Sequence, residues 1–319
     1  MQGGSNARGL PQSCTTSMAA SSHSRTFTKR EHEPYGNGSP MDESEHRSTD
    51  DLTYERAVEV ARPWGLEVRY CAETGSTNAD AAAWAPLLTA GGLVVAGHQT
   101  AGRGRLERSW FSVPGASLLF SLVVRPAVGP SLLGLVPLAA GVALCLAART
   151  EGVAARLKWP NDLVVEGRKA GGILCETAWR AGATAGAGPI GSAGWIVVGV
   201  GVNVNLAPDD LPPDLRARAT SLSSEAGRAI DRAELLSSFL ETFVPLLRTL
   251  EVAGGSPILD AYLPLCDTVG AEIRADVSGL TVTGVVKDID PSGALVLDSG
   301  TVLSAGDVVH VTPSISTSR

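Results

Sequence analysis

The sequence predicts an α+β protein with a small all-β unit appended, and three features of the 319-residue chain carry that reading. From Asp51 to about Cys266, β-branched runs alternate with amphipathic or apolar helical runs. After Asp267 only short strand-like runs occur, separated by Gly, Asp and Pro turns. Before Asp51 no apolar periodicity is present at all. The plan is a polar tail over residues 1–50, an α+β domain over 51–266 and a compact β unit, expected to be a small barrel, over 267–319.

The tail holds five Lys+Arg, six Asp+Glu and two aromatics, Phe27 and Tyr35. It cannot bury enough apolar surface to offset its ordering entropy, so disorder is expected there. His23, His32 and His46 stand nine and fourteen residues apart, which matches no metal-ligand pattern.

Residues 53–62 read as a short amphipathic helix stopped near Pro63, and 67–72 as an alternating strand. Ser76 or Thr77 is placed to cap an Ala-rich helix running to Trp84. Strands are expected over 93–99 and 117–125. The run from Leu132 to Ala148 is apolar enough to suggest a membrane span, but Gly134, Pro137 and Gly141 interrupt it, and it reads as a buried helix. Residues 155–159 form a strand ending in Pro160-Asn161-Asp162. Residues 163–165 and 169–177 form a hairpin through Glu166-Gly167-Arg168, and 195–204 form a β-branched strand. Between them, 182–194 are nearly all Gly, Ala and Ser, a long loop without a functional reading. One or two helices fill 231–253 and another lies near 256–262.

Composition narrows the function. With 26 Lys+Arg against 33 Asp+Glu the net charge is −7, a poor match for a general nucleic-acid binder. The five cysteines are widely spaced with no C-x-x-C pair, which argues against a zinc cage and a disulfide scaffold. The cytoplasm is the expected compartment. The G-x-G-x-x-G at Gly186 to Gly191 has no helix after it, so it is no dinucleotide site, and no P-loop, G-x-S-x-G elbow or H-E-x-x-H is present.

Four constellations remain. In Gly102-Arg103-Gly104-Arg105, followed by Arg108 and Trp110, guanidinium forks suit phosphate or carboxylate. The glycines allow close backbone approach and Trp110 offers a stacking surface. A solvated basic turn would look the same. In Lys158-Trp159-Pro160-Asn161-Asp162, a lysine ends a strand before a rigid turn, a point charge on a firm scaffold. Gly171-Gly172 and Gly199-Val200-Gly201-Val202-Asn203 put glycines inside strands, marking either close approach of a ligand or a packing contact. Thr74-Gly75-Ser76-Thr77-Asn78 places hydroxyls and an amide at a strand-to-helix junction, suited to a neutral polar ligand or simply to capping.

In this order and spacing these segments resemble the biotin–protein ligase family, in its monofunctional form without a DNA-binding domain. The matches are Gly75-Ser76-Thr77-Asn78, residues 99–105 (QTAGRGR), Trp110-Phe111-Ser112, Lys158 to Asp162 (KWPND), Arg168 to Leu174 (RKAGGIL) and Gly199 to Asn203 (GVGVN). The resemblance covers about 68 to 206 densely and the C-terminal unit loosely. It implies a catalytic core related to class II aminoacyl-tRNA synthetases with a small C-terminal SH3-like barrel. It implies that biotin and ATP give biotinyl-5′-AMP, whose acyl group passes to a lysine of a biotin carboxyl carrier domain of an acyl-CoA carboxylase. Carried over by motif, Lys158 and Arg105 are catalytic. Ser76, Thr77, Asn78, Gln99, Arg103, Gly104, Gly171 and Gly172 are expected around biotin. Arg103, Arg105, Trp110, Lys158, Asn161 and Asn203 are expected around the nucleotide. Mg²⁺ is expected with ATP, with no ligands identified. Residues 1–50 are too polar, and 51–66 too short, for the helix-turn-helix of repressor members, so neither nucleic acid nor membrane is an expected partner. A lipoate ligase of the same fold and a non-catalytic biotin-binding module are the alternatives.

Overall fold

The computed structural model describes residues 15–16, 52–179, 194–277, 280–304 and 307–311. The expected disorder of the tail (apart from 15–16) and the loop and decoy motif within 182–193 lie outside the described residues.

A mixed eight-stranded sheet forms the centre. Its strands are β1 (Thr15–Thr16), β2 (Glu67–Thr74), β3 (Gly92–Gln99), β4 (Ser117–Val124), β5 (Arg156–Lys158), β6 (Asp162–Val165), β7 (Arg168–Trp179) and β8 (Gly194–Asn203). The order is β1-β2-β3-β4-β8-β7-β6-β5, with β2 and β3 parallel and every other pair antiparallel. β3, β4 and β8 lie in the middle and are buried on both faces, which explains their near-continuous apolar runs.

One face of the sheet is covered by α1 (Tyr54–Ala61), α3 (Leu135–Thr150), α5 (Arg232–Ala253) and α6 (Ser256–Tyr262). Twelve of the sixteen residues of α3 are buried, so the run that resembled a membrane span is the central helix of the core. Pro137 is tolerated because it stands in the first turn, where the N–H has no helical partner. Among the described residues the opposite face carries α2 (Thr77–Trp84), with a small second core that includes Trp84, Val94, Val123, Trp195 and Val197. The helices are thus concentrated on one face, and a site can be built beside α2 on the other.

Most elements fall where expected. A single α5 spans 232–253 although Pro245 interrupts its hydrogen bonding, and the short α4 (Leu222–Ala226) was not anticipated. The β6–β7 turn is the two-residue Glu166-Gly167, both at positive φ (49° and 75°), a geometry matched to the twist of a hairpin. Cys145, Cys175 and Cys266 are free thiols. Cys71 is disulfide-bonded, which the cysteine spacing did not lead one to expect.

The C-terminal strands β9 (Glu272–Val277), β10 (Leu280–Ile289), β11 (Leu295–Leu297), β12 (Val302–Leu303) and β13 (Asp307–His310) form an antiparallel sheet in the order β12-β11-β10-β9-β13. Its end strands do not pair with each other among the described residues, so the sheet is open where a barrel was expected. β11 and β12 are three and two residues long, too short to curl across. Ile273, Ala275, Val286, Leu295 and Leu297 join the same hydrophobic core as the central sheet.

Candidate active site

The face beside α2 gathers most of the residues expected there. On β7 and β8, Gly172 pairs with Gly201 and Leu174 with Gly199. Alternation along the strands puts these four on one face. The Trp110 ring lies on this floor: a Cβ on Gly201 would stand 2.7 Å from the indole, and one on Gly172 would stand 3.4 Å from it. The glycines are therefore needed for close approach of a flat group. Gly171 belongs to the other face, against Leu144 and Leu163, and does not line the site as expected; the period of two separates it from Gly172.

The polar end is built by α2 and β3. Gln99 Oε1 accepts from the Thr77 N–H (2.7 Å) and Thr77 Oγ1 (3.0 Å). Ser76 is the N-cap by position, but its side chain makes no capping bond, and capping falls to Gln99 instead. Asn78 is 4% exposed, and Ser121 Oγ donates to its Oδ1 at 2.6 Å. Its Nδ2 donates to Leu174 O (3.2 Å) and Glu176 Oε2 (2.7 Å). With its amide so engaged, Asn78 braces α2 against β4 and β7, which differs from the expected ligand contact. Asn203 is likewise engaged, donating to Thr220 O at 3.0 Å.

The glycine- and arginine-rich segment folds back over the cleft. Trp110 N–H donates to Gly102 O (2.8 Å) and Gly104 N–H to Arg108 O (2.6 Å), so the Gly104 amide is engaged within the loop. Arg103 pairs with Glu176 at 3.0 Å, which turns its guanidinium toward β7. Arg105 donates to Asn161 Oδ1 at 3.3 Å, and Asn161 donates in turn to Ile173 O at 2.8 Å. Leu106, at φ 53° and 65% exposed, forms the loop tip.

The structure adds a residue to which no role was given: Lys169. Its Nζ lies 2.5 Å from Asp162 Oδ1, 5.7 Å from the centre of the Trp110 ring and 3.3 Å from where a Cβ on Gly172 would be. Simple alternation would put Lys169 on the same side as Gly171, toward the core. A register shift between Leu163 and Val164 inserts an extra residue on β7, and this bulge re-aims Lys169 into the cleft. Its backbone is anchored on both sides, to Arg218 O (2.8 Å) and Thr220 N (2.9 Å). The one signal in the sequence was a cation two and three residues ahead of paired glycines. Lys158 stands opposite Asp162 in the β5–β6 pair, half-buried, and among the described residues no carboxylate ion-pairs with it.

The site therefore combines a hydrogen-bonding end at Thr77 and Gln99, a glycine floor under Trp110, and cations at Lys169, Arg105 and Lys158. Such an arrangement holds a flat, partly apolar molecule by its polar head and stabilises charge at its far end.

Comparison with known proteins agrees with this geometry. The model of the "Biotin/lipoate A/B protein ligase family" matches residues 73–192. The chain is 37% identical over 254 residues to the biotin–[acetyl-CoA-carboxylase] ligase of Mycobacterium tuberculosis, covering 75% of this chain and 87% of that one. It is 36% identical to the enzyme of the same name from Paracoccus denitrificans, covering 71% of this chain and 92% of that one. Among solved structures, the biotin protein ligase from Aquifex aeolicus in complex with biotin and ATP superposes with a TM-score of 0.64 at 25% identity, over 76% of this chain and 97% of that one. The chain belongs to the biotin–protein ligase family.

Proposed function

We propose that this protein activates biotin with ATP and transfers it to a lysine of a biotin carboxyl carrier domain. In the first step a biotin carboxylate oxygen attacks the α-phosphorus and pyrophosphate leaves. In the second, the carrier lysine's neutral amine attacks the acyl carbon and AMP leaves. The observation that carries this reading is Lys169 beside Trp110 over the Gly172–Gly201 floor, with Arg105 held by Asn161 and the Thr77–Gln99 pair at the polar end.

Two anions meet in the first step, and negative charge builds on the phosphoryl oxygens. Fixed cations are the main means available to stabilise it. Lys169, beside Trp110, and Arg105, held by Asn161, are assigned to the carboxylate and the α-phosphate. Lys158 stands opposite Asp162, the ion-pair partner of Lys169, and is assigned to the phosphates. Ser76, Thr77 and Gln99 are assigned to the ureido head, whose N–H and C=O groups need both donors and acceptors. Arg103 contributes through its backbone, since its side chain is held by Glu176. The adenylate is a mixed anhydride that water would destroy, and the 102–110 loop covers it.

Magnesium enters, on this reading, with the nucleotide. No group of three His, Cys, Asp or Glu among the described residues could hold a metal. Magnesium commonly stays bound to phosphate oxygens and water with few protein ligands, which fits such a site. We read the C-terminal sheet as an SH3-like barrel opened at its β12–β13 seam.

The test is the intact mass of a biotin carboxyl carrier domain after incubation with the protein, ATP and either biotin or lipoate. A biotin-sized gain is expected. A lipoate-sized gain would make it a lipoate ligase, and no gain on a competent carrier would make it a binding module. Arg105→Gly should still form the adenylate but release it, raising biotinyl-AMP in free solution. An unchanged level of released adenylate would remove Arg105 from the retaining role.

A further inference from the structure

The edge strand β5 bears Lys158, and the turn after it bears Asn161. The central sheet holds β5 only through β6. Its other side is occupied by the chain entering and leaving the C-terminal sheet. Asp267 N–H donates to Leu157 O at 2.8 Å, and Arg156 Nε donates to Asp267 Oδ1 at 2.7 Å. The Trp159 indole, 2% exposed, donates to Gly293 O at 2.9 Å. The Trp159 backbone N–H donates to Thr268 Oγ1 at 3.0 Å, and Thr268 is fully buried. The same hydroxyl lies 3.0 Å from His310 Nε2 on β13.

We infer that Thr268, oriented by His310, is a positioning residue that fixes the lysine-bearing end of β5 and the turn after it for the nucleotide. A hydroxyl has one proton and two lone pairs. Here it accepts the Trp159 N–H and gives its proton to a neutral His310, so its rotor is fixed from both sides. Burial, and then the nearby Lys158 charge, lower the His310 pKa, against a smaller opposing effect of Asp267; this favours the neutral ring. The relay runs from β13 through Thr268 and Trp159 to Asn161, and Asn161 holds Arg105. The C-terminal sheet thereby sets the positions of two cations facing the phosphates, while the biotin-head contacts at Thr77 and Gln99 lie at the far end of the sheet.

The inference rests on the ligase reading and has its own test in the full-length protein. Thr268→Val removes the hydroxyl at nearly constant shape, and Thr268→Ser retains it. Pyrophosphate release gives KM for ATP and kcat, and calorimetry gives the Kd for biotin alone. Thr268→Val should lower kcat/KM for ATP about tenfold, as expected for a displaced charge, and leave the biotin Kd unchanged. Thr268→Ser should restore ATP turnover. Equal loss in both variants, loss of biotin affinity, or no loss in Thr268→Val would overturn the inference. If Thr268→Val does not fold, His310→Phe, which takes both ring nitrogens from a half-buried position and leaves the Thr268 hydroxyl without this partner, should show the same ATP-specific defect; its absence would be equally decisive. Wild-type protein that releases no pyrophosphate would instead overturn the ligase reading.

Discussion

Lys169→Gln is expected to reduce the rate of adenylate formation by roughly 10²–10³-fold, the usual effect of deleting one preorganised charge-stabilising group. The argument is local. Lys169 is held by its backbone on both sides and aimed by the bulge, and its ammonium stands over the glycine floor beside Trp110. Removing the charge also leaves the Asp162 carboxylate without its partner, next to a site that must accept two further anions. The fold should tolerate the change, because the pair is partly exposed (38% and 24%) and such pairs contribute about 0–1 kcal/mol. Lys158→Ala should also fold normally and lose most adenylate formation. Pre-steady-state pyrophosphate release checks both. A folded Lys169→Gln protein turning over within twofold of wild type, an allowance of about 0.4 kcal/mol on the barrier, would remove Lys169 from the chemistry.

The second large effect is expected from Gly199→Ala. A Cβ there would clash directly with Asn78 Oδ1, far inside contact distance. Asn78 cannot retreat easily, since Ser121, Leu174 and Glu176 hold its three polar contacts. Either α2 shifts away from the sheet or the amide breaks its bonds. Overpacking of this kind costs roughly 1–3 kcal/mol. Because α2 carries Thr77, biotin affinity should fall with stability, whereas a distant destabilising change would lower the melting temperature alone. Calorimetric titration with biotin below the melting temperature separates the two. Wild-type biotin affinity in Gly199→Ala would show that the head-group pocket does not depend on this brace.

Much of this was legible from residue order. α2, β3, β4, β8 and α6 follow from hydrophobic period and turn residues, and the buried character of α3 follows from the glycines and proline that interrupt it. No cleft motif was decisive alone; their common order and spacing, which resemble the biotin–protein ligase family, made them legible. The illegible parts share one cause, contact across the fold. Lys169 was obscured by a one-residue bulge that reverses which face it serves. Asn78 has the chemistry of a ligand residue, but packing engages both ends of its amide within the protein. Gly171 and Gly172 are neighbours in sequence on opposite sides of a sheet. The clamp between Thr268 and Trp159 joins residues 109 positions apart, beyond the reach of any local pattern.

The central claim is that Lys169, Arg105 and Trp110 form one cradle for an activated vitamin. A crystal structure with biotin and ATP tests it most directly. The account predicts the ureido head at Thr77 and Gln99, with the acyl phosphate between Lys169 and Arg105. Ordered ligands bound elsewhere, with those three side chains facing only solvent and one another, would contradict it.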